Sequence, residues 1–131
     1  MSDLGAFVRD YFERVVNRQE TGAVDDLVSP GYRGEGYGWP ADRDSLRAFY
    51  TQQKQTRPDW RIDVQETVET GEWVAVRAYA GGTVVGEDGA SHRQDLEWLT
   101  AYRVIDGMVA ETRILSLLER GAATSTTWTA G

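Results

Sequence analysis

The chain has 131 residues, a net charge of −7 from 14 basic and 21 acidic side chains, no cysteine, and one histidine, His92. That length fits one domain with a core large enough to need no staples. The missing thiols and lone imidazole exclude disulfides, zinc ribbons, iron–sulfur clusters and multi-histidine zinc sites, and the acidic balance argues against nucleic acid or anionic membranes as partners.

No apolar run approaches the roughly 20 residues that span a bilayer. The opening MSDLGAFVRDYF has no basic stretch leading into an apolar block. The expectation is a soluble cytoplasmic protein with no metal site and no cofactor. Leu4, Phe7, Val8, Tyr11, Phe12 and Val15 recur at helical steps and predict an amphipathic helix to about Arg18, with Asp3 as its cap. A short helix after Thr21-Gly22 buries Val24, Leu27 and Val28, and Pro30-Gly31 stops it.

Next comes GYRGEGYGWP, Gly31 to Pro40, read as a loop. Its glycines resemble a linker, but Tyr32, Tyr37, Trp39 and Glu35 do not. It is no phosphate loop either, since no strand of a dinucleotide fold leads into it and no Lys-Ser/Thr follows. Asp42 caps a third helix with Leu46, Phe49 and Tyr50 inward, which ends before Pro58.

From Trp60 the period becomes two. Trp60, Ile62 and Val64 alternate with polar residues up to a turn at Gly71-Glu72. A long strand follows from Trp73 to Val85, bent at Gly81-Gly82, and then a turn at Gly86 to Gly89. The last hairpin is the firmest local feature. Leu96, Trp98, Thr100, Tyr102 and Val104 fall on one face; Asp95, Glu97, Leu99, Ala101 and Arg103 fall on the other. Asp106-Gly107 makes the turn. On the facing arm Thr112, Ile114 and Ser116 would share the apolar face. Residues 1–118 form the domain, and 119–131 a loose tail with Trp128 as its one anchor. Three helices followed by a meander of strands give an α+β class: a cone-shaped curved antiparallel sheet with the helices across its concave face.

The segments LVSPGY (Leu27 to Tyr32), SLRAFY (Ser45 to Tyr50), RPDWRIDV (Arg57 to Val64), GEWVAVRAYAGG (Gly71 to Gly82) and AYRVIDGMVAE (Ala101 to Glu111) resemble the nuclear transport factor 2-like superfamily, in particular its SnoaL-like polyketide cyclase branch. These are structural landmarks, not catalytic motifs. The resemblance implies a cofactor-independent enzyme or a non-catalytic binding domain. It also implies a catalytic aspartate on the last strand, at a position held here by Ile114, with a polar partner at Thr100. Epoxide hydrolases of the superfamily imply an arginine at Arg77, whose partner acid is replaced by Tyr79. Ketosteroid-isomerase-like members imply a base in the loop after the second helix, where Glu35 lies.

Each candidate has two readings. Glu35 is either a base desolvated by Tyr32, Tyr37 and Trp39 or a solvated loop glutamate. Trp98, Thr100 and Tyr102 either hold a flat ligand and its oxygen or fill the core. Arg77 either faces inward toward a carboxylate or faces outward as an ordinary strand arginine. His92 beside its turn reads as solvated. The leading expectation is a cyclase or isomerase for a small apolar oxygenated metabolite, polyketide- or terpenoid-like. Glu35, Tyr37, Thr100 and Tyr102 would be catalytic, and Trp39, Tyr50, Trp60, Arg77, Trp98, Thr112, Ile114 and Ser116 would bind substrate. The alternatives are a cavity that only shapes and polarises its ligand, an epoxide-opening enzyme with a non-standard acid set, and a non-catalytic binding or assembly module. A homodimer through the outer sheet face suits all of these, because Leu99 and Ala101 lie there.

Overall fold

The computed structural model describes residues 3–120; Trp128, the expected anchor of the tail, lies outside them. Helix α1 (Leu4–Phe12) starts on two carboxylates. Asp3 Oδ1 accepts from the Ala6 amide at 2.9 Å, and Glu69 accepts from the Leu4 and Gly5 amides at 3.1 and 3.2 Å. Four amides at a helix start have no partner of their own, so a carboxylate reaching across from the sheet fixes where the helix begins. Close approach here needs a glycine, because a Cβ on Gly5 would lie 2.8 Å from Thr67 Oγ1.

The expected single helix to Arg18 is two pieces. After Phe12 the coil widens into a π-helical turn, Glu13–Asn17. Its last residue acts as a strand partner: Asn17 Oδ1 accepts from the Ile62 amide (2.7 Å), and Asn17 Nδ2 donates to the Ile62 carbonyl (3.1 Å). A π-turn lets the side chain swing to that edge.

Helix α2 is short (Ala23–Leu27), and helix α3 spans Arg43–Thr56 with Asp42 capping the Ser45 amide at 2.7 Å. The strands are β1 (Val28–Glu35), β2 (Arg61–Thr70), β3 (Trp73–Val85), β4 (Ser91–Ile105) and β5 (Met108–Glu119). They form one sheet in the order β1-β5-β4-β3-β2, antiparallel throughout except for β1, which runs parallel to β5. The α+β class and the curved sheet beneath N-terminal helices are as expected.

Two expectations change. The stretch Val28–Glu35 is a strand, not the end of a helix and a loop. Pro30 falls in the register shift between Val28 and Arg33, a place on an edge strand where a missing amide does no harm. Second, β5 carries a bulge: Leu99 faces Ser116 while Thr100 faces Ile114, so Leu115 is extra. That extra residue reverses the alternation. Ser116 shares the outer face with Leu99, and Leu117 takes the inward place opposite Trp98.

The inward positions of β3 are Val74, Val76, Ala78 and Ala80, all buried. Their small volume leaves room for the helices, whose Val8, Tyr11, Phe12, Val24 and Leu46 complete the core. The Asp106-Gly107 turn has both residues in the left-handed region, at φ 54° and 72°. That is the two-residue hairpin form that Asp-Gly favours.

Candidate active site

The concave face of β4 is as the alternation predicts. Leu96, Trp98, Thr100, Tyr102 and Val104 are all buried. Ring stacking continues from it into the helices: Tyr102 lies 5.6 Å from Phe12 and 6.1 Å from Tyr11, and Trp98 lies 5.7 Å from Trp39. Trp39 in turn packs on Phe49 at 5.0 Å and on Tyr50 at 6.4 Å. The interior is therefore a continuous cluster of packed aromatic rings that joins the sheet to α1, α3 and Trp39.

Polarity in this lining comes from hydroxyls. Tyr11 and Tyr50 share a hydrogen bond of 3.1 Å, and Trp39 Nε1 donates to the Tyr32 hydroxyl at 3.0 Å. Burial pushes the phenols of Tyr11, Tyr50 and Tyr102 well above their ordinary pKa; the neighbouring rings Tyr50, Tyr102 and Tyr11, respectively, add to the rise. Burial raises Tyr32 as well, while Thr112 and Trp39 pull it back. These tyrosines stay protonated donors at neutral pH. Thr112 is buried, and Thr100 is 0% exposed.

Thr100 Oγ1, Trp98 Nε1 and Trp60 Nε1 are buried without a hydrogen-bond partner among the described residues. Thr100 lies close enough to Tyr102 to offset part of the rise in that phenol, yet no hydrogen bond of acceptable length and angle joins them. A buried polar atom without a partner is costly, so these three are the atoms that a bound hydroxyl, carbonyl or water would satisfy. No carboxylate is buried among the described residues. None of their His, Asp and Glu side chains gather in threes as a metal site would need.

The other expected residues lie elsewhere. Glu35 keeps 67% of its side chain exposed and pairs with Arg113 at 3.2 Å. Strand parity explains this: Tyr32 points inward on β1, so Glu35, three residues on, points outward. Tyr37 is 64% exposed on the loop beyond, at φ 54°. The structure thus separates both from the concave face, and the expected desolvation of Glu35 by Tyr37 and Trp39 does not occur. Arg77 also faces outward, because Val76 and Ala78 on either side face in. It pairs with Glu66 (2.7 Å) and Glu97 (3.2 Å), which raise its pKa further. An epoxide-opening site would lack this arginine.

Thr100 and Ile114 are direct cross-strand partners, both buried. The two positions where the resemblance implies a carboxylate and its polar partner do meet, and here they hold a hydroxyl and a butyl group. The family model for SnoaL-like polyketide cyclases matches residues 6–116. The chain belongs to the SnoaL-like polyketide cyclase family. No curated protein matches it in sequence. Among solved structures, a SnoaL-like polyketide cyclase from Agrobacterium tumefaciens is similar at TM-score 0.75 and 14% identity, covering 98% of this chain and 99% of that one. IdmH from Streptomyces antibioticus is similar at TM-score 0.72 and 19% identity, with coverage of 99% and 100%. TsrD from Streptomyces laurentii follows at TM-score 0.69 and 17% identity, with coverage of 89% and 91%. At these identities the likeness establishes the SnoaL-like fold.

Sequence reasoning passed over Tyr11 and Tyr32 as site residues. Tyr11 reads as helix core, yet a tyrosine on a buried stripe carries a hydroxyl that must find a partner. That requirement was the available signal.

Proposed function

We propose that this SnoaL-like protein is a cofactor-independent cyclase that folds a small polyketide-like metabolite against the concave face of β4 and β5. Tyr102 and Thr100 hold its reacting oxygen. The observation that carries the reading is Thr100 Oγ1, fully buried and unpartnered among the described residues at the centre of that face, beside a phenol that burial keeps protonated. Ring closure in such a molecule joins an enol carbon to a carbonyl carbon of the same chain. The negative charge that develops on the carbonyl oxygen is what a preorganised O–H donor stabilises. The enol's own proton ends on the new hydroxyl, so the overall step needs no protein carboxylate. This suits a lining with Ile114 where relatives are expected to carry an acid. Holding the two carbons in contact supplies the remainder of the acceleration.

The test is turnover of a linear polyketide mimic by Tyr102→Phe and Thr100→Val proteins. Loss of one donor to a developing oxyanion lowers kcat by about 10²-fold or more, with far-UV circular dichroism unchanged. Turnover equal to wild type in both variants removes these hydroxyls from the mechanism. That no carboxylate is buried among the described residues also favours a second reading, a non-catalytic binding module, which predicts saturable ligand binding with no rate enhancement.

A homodimer through the outer sheet face is part of the proposal. Leu99 and Leu115 are 42% and 52% exposed there, side by side at the bulge. Ion pairs of Arg77 and Arg113 flank them. A Leu99→Asp protein that sediments like wild type would exclude that face.

A further inference from the structure

Beside the aromatic lining, between the C-terminal half of α3 and the tip of the β3–β4 hairpin, lies a hollow of about 270 Å³. Phe49, Val84 and Val85 supply its apolar surface, Arg57 its positive charge, and Glu87, on the hairpin turn, its negative charge. It lies just under the range of about 300–1,000 Å³ typical of whole-ligand pockets, a size that suits one end of a molecule. Phe49 is shared between this hollow and the ring cluster, which runs from Phe49 to Trp39 to Trp98.

Arg57 is built into this rim. Its amide donates to the Gln53 carbonyl at 2.7 Å, and its carbonyl accepts from the Trp60 amide at 3.2 Å and from Gln19 Nε2 at 3.4 Å. The guanidinium lies 5.1 Å over the Trp60 ring, and its one side-chain hydrogen bond, to Gln94 Oε1, is long at 3.4 Å. Seven arginines form ion pairs among the described residues; Arg57, like Arg9, Arg33, Arg43, Arg61 and Arg120, forms none there. A half-buried guanidinium on a fixed backbone, stacked on one face and short of acceptors, presents its planar fork to whatever enters. In a chain of net charge −7, the general field repels anions, so an anionic group entering here needs a cation at short range.

We infer that Arg57 is the specificity determinant for an acidic end group: the ligand carries a carboxylate, or an equally acidic vinylogous enol, which docks at Arg57 while its apolar body lies along Phe49, Trp39 and Trp98. This rests on the reading of the interior as a ligand cavity. It adds that the substrate is an aromatic or polyketide acid and not a neutral ester.

The experiment titrates the full chain with 2-naphthoic acid and with 2-naphthamide at neutral pH, by calorimetry. Wild type binds the acid about tenfold more tightly than the amide, the contribution of one charge-assisted hydrogen bond. Arg57→Met, which keeps an apolar side chain over Trp60, abolishes the preference and spares the amide; Arg57→Lys keeps part of it. Val85→Glu, which leaves the loop of Arg57 intact, reverses the preference and serves if the methionine variant does not fold. Equal affinity for the two probes, binding of neither, or a preference that survives Arg57→Met overturns the inference. An Arg57-dependent acid preference without turnover sinks the cyclase and keeps this subsite. Turnover indifferent to Arg57 does the reverse.

Discussion

Replacing Thr100 by Val should stabilise the protein. Threonine to valine in a core ordinarily costs stability, because a hydrogen bond is lost. Here Oγ1 has no partner among the described residues and the residue is 0% exposed. A buried hydroxyl whose neighbour Tyr102 is not at hydrogen-bonding geometry recovers little of its desolvation penalty of about 1–3 kcal/mol. Valine has nearly the same shape, favours strands, and would sit between Val76 on β3 and Ile114 on β5, its neighbours in register. A gain of about 1–2 kcal/mol follows, and for 131 residues each kcal/mol moves Tm by about 4 °C. The melting transition, followed by circular dichroism and checked by urea unfolding, should rise by about 4–8 °C while turnover of the polyketide mimic falls. Stability exchanged for activity is the mark of a group kept for its ligand. A Tm that falls, or does not move, refutes the reasoning, since the hydroxyl would then be satisfied within the free protein.

Other outcomes follow from the same structure. Asn17→Ala strips both backbone partners from Ile62 and should cost about 2–3 kcal/mol in urea unfolding, with faster hydrogen exchange at Ile62; unchanged exchange there would show that the strand edge does not need the asparagine. Asp59 accepts from the Thr83 amide at 2.7 Å and from its hydroxyl at 3.1 Å, and these bonds, the amide first, lower its pKa. A carboxyl depressed on folding contributes stability that is complete above its unfolded value, about 3.9, and fades as pH falls through the lower native one. The acid limb of the stability curve should flatten in Asp59→Asn, and an NMR titration giving Asp59 an ordinary midpoint would contradict it. Tyr11, Tyr50 and Tyr102 act at the other end. Their native pKa values are raised by burial, so the unfolded chain loses its phenolic protons first, and stability falls as pH rises past about 10. Ultraviolet titration should show these three ionising together with unfolding; smooth ionisation in the native state would oppose the assigned burial.

How legible the molecule was in its sequence depended on whether a residue's neighbours along the chain are also its neighbours in space. The β4–β5 hairpin satisfies that condition: a two-residue turn sets the register, and the inward set from Leu96 to Val104 follows by parity. Strand β1 fails it. Its sequence, VSPGYRGE, is turn-like, and it becomes a strand because β5 offers a parallel edge far along the chain. With that pairing unknown, Glu35 stood next to three rings in sequence, and its outward parity could not be seen. Ser116 failed for a different reason. Ile114, Leu115, Leu117 and Leu118 do not fit a period of two, and that broken alternation was the trace of the bulge. Tyr50, Trp60, Thr112 and Ile114 were readable as buried from periodicity alone. The pairing of Tyr11 with Tyr50 spans helices α1 and α3 and had no local sign.

A lining of hydroxyls has one consequence that a lining of charges does not. An O–H can give its proton to one partner while its oxygen takes one from another, so under the proposed reading Tyr102 and Thr100 would donate to the reacting oxygen and still accept from a neighbouring hydroxyl of the ligand in the interior. Carbonyl, ether and alcohol oxygens are all acceptable in it. Such a chamber would add selection by contour, from the reach between Trp39 and Tyr102 and the narrowness that Ile114 imposes, to the selection by charge proposed at Arg57. A single surface of this kind could serve a succession of related oxygenated skeletons that share one acidic end.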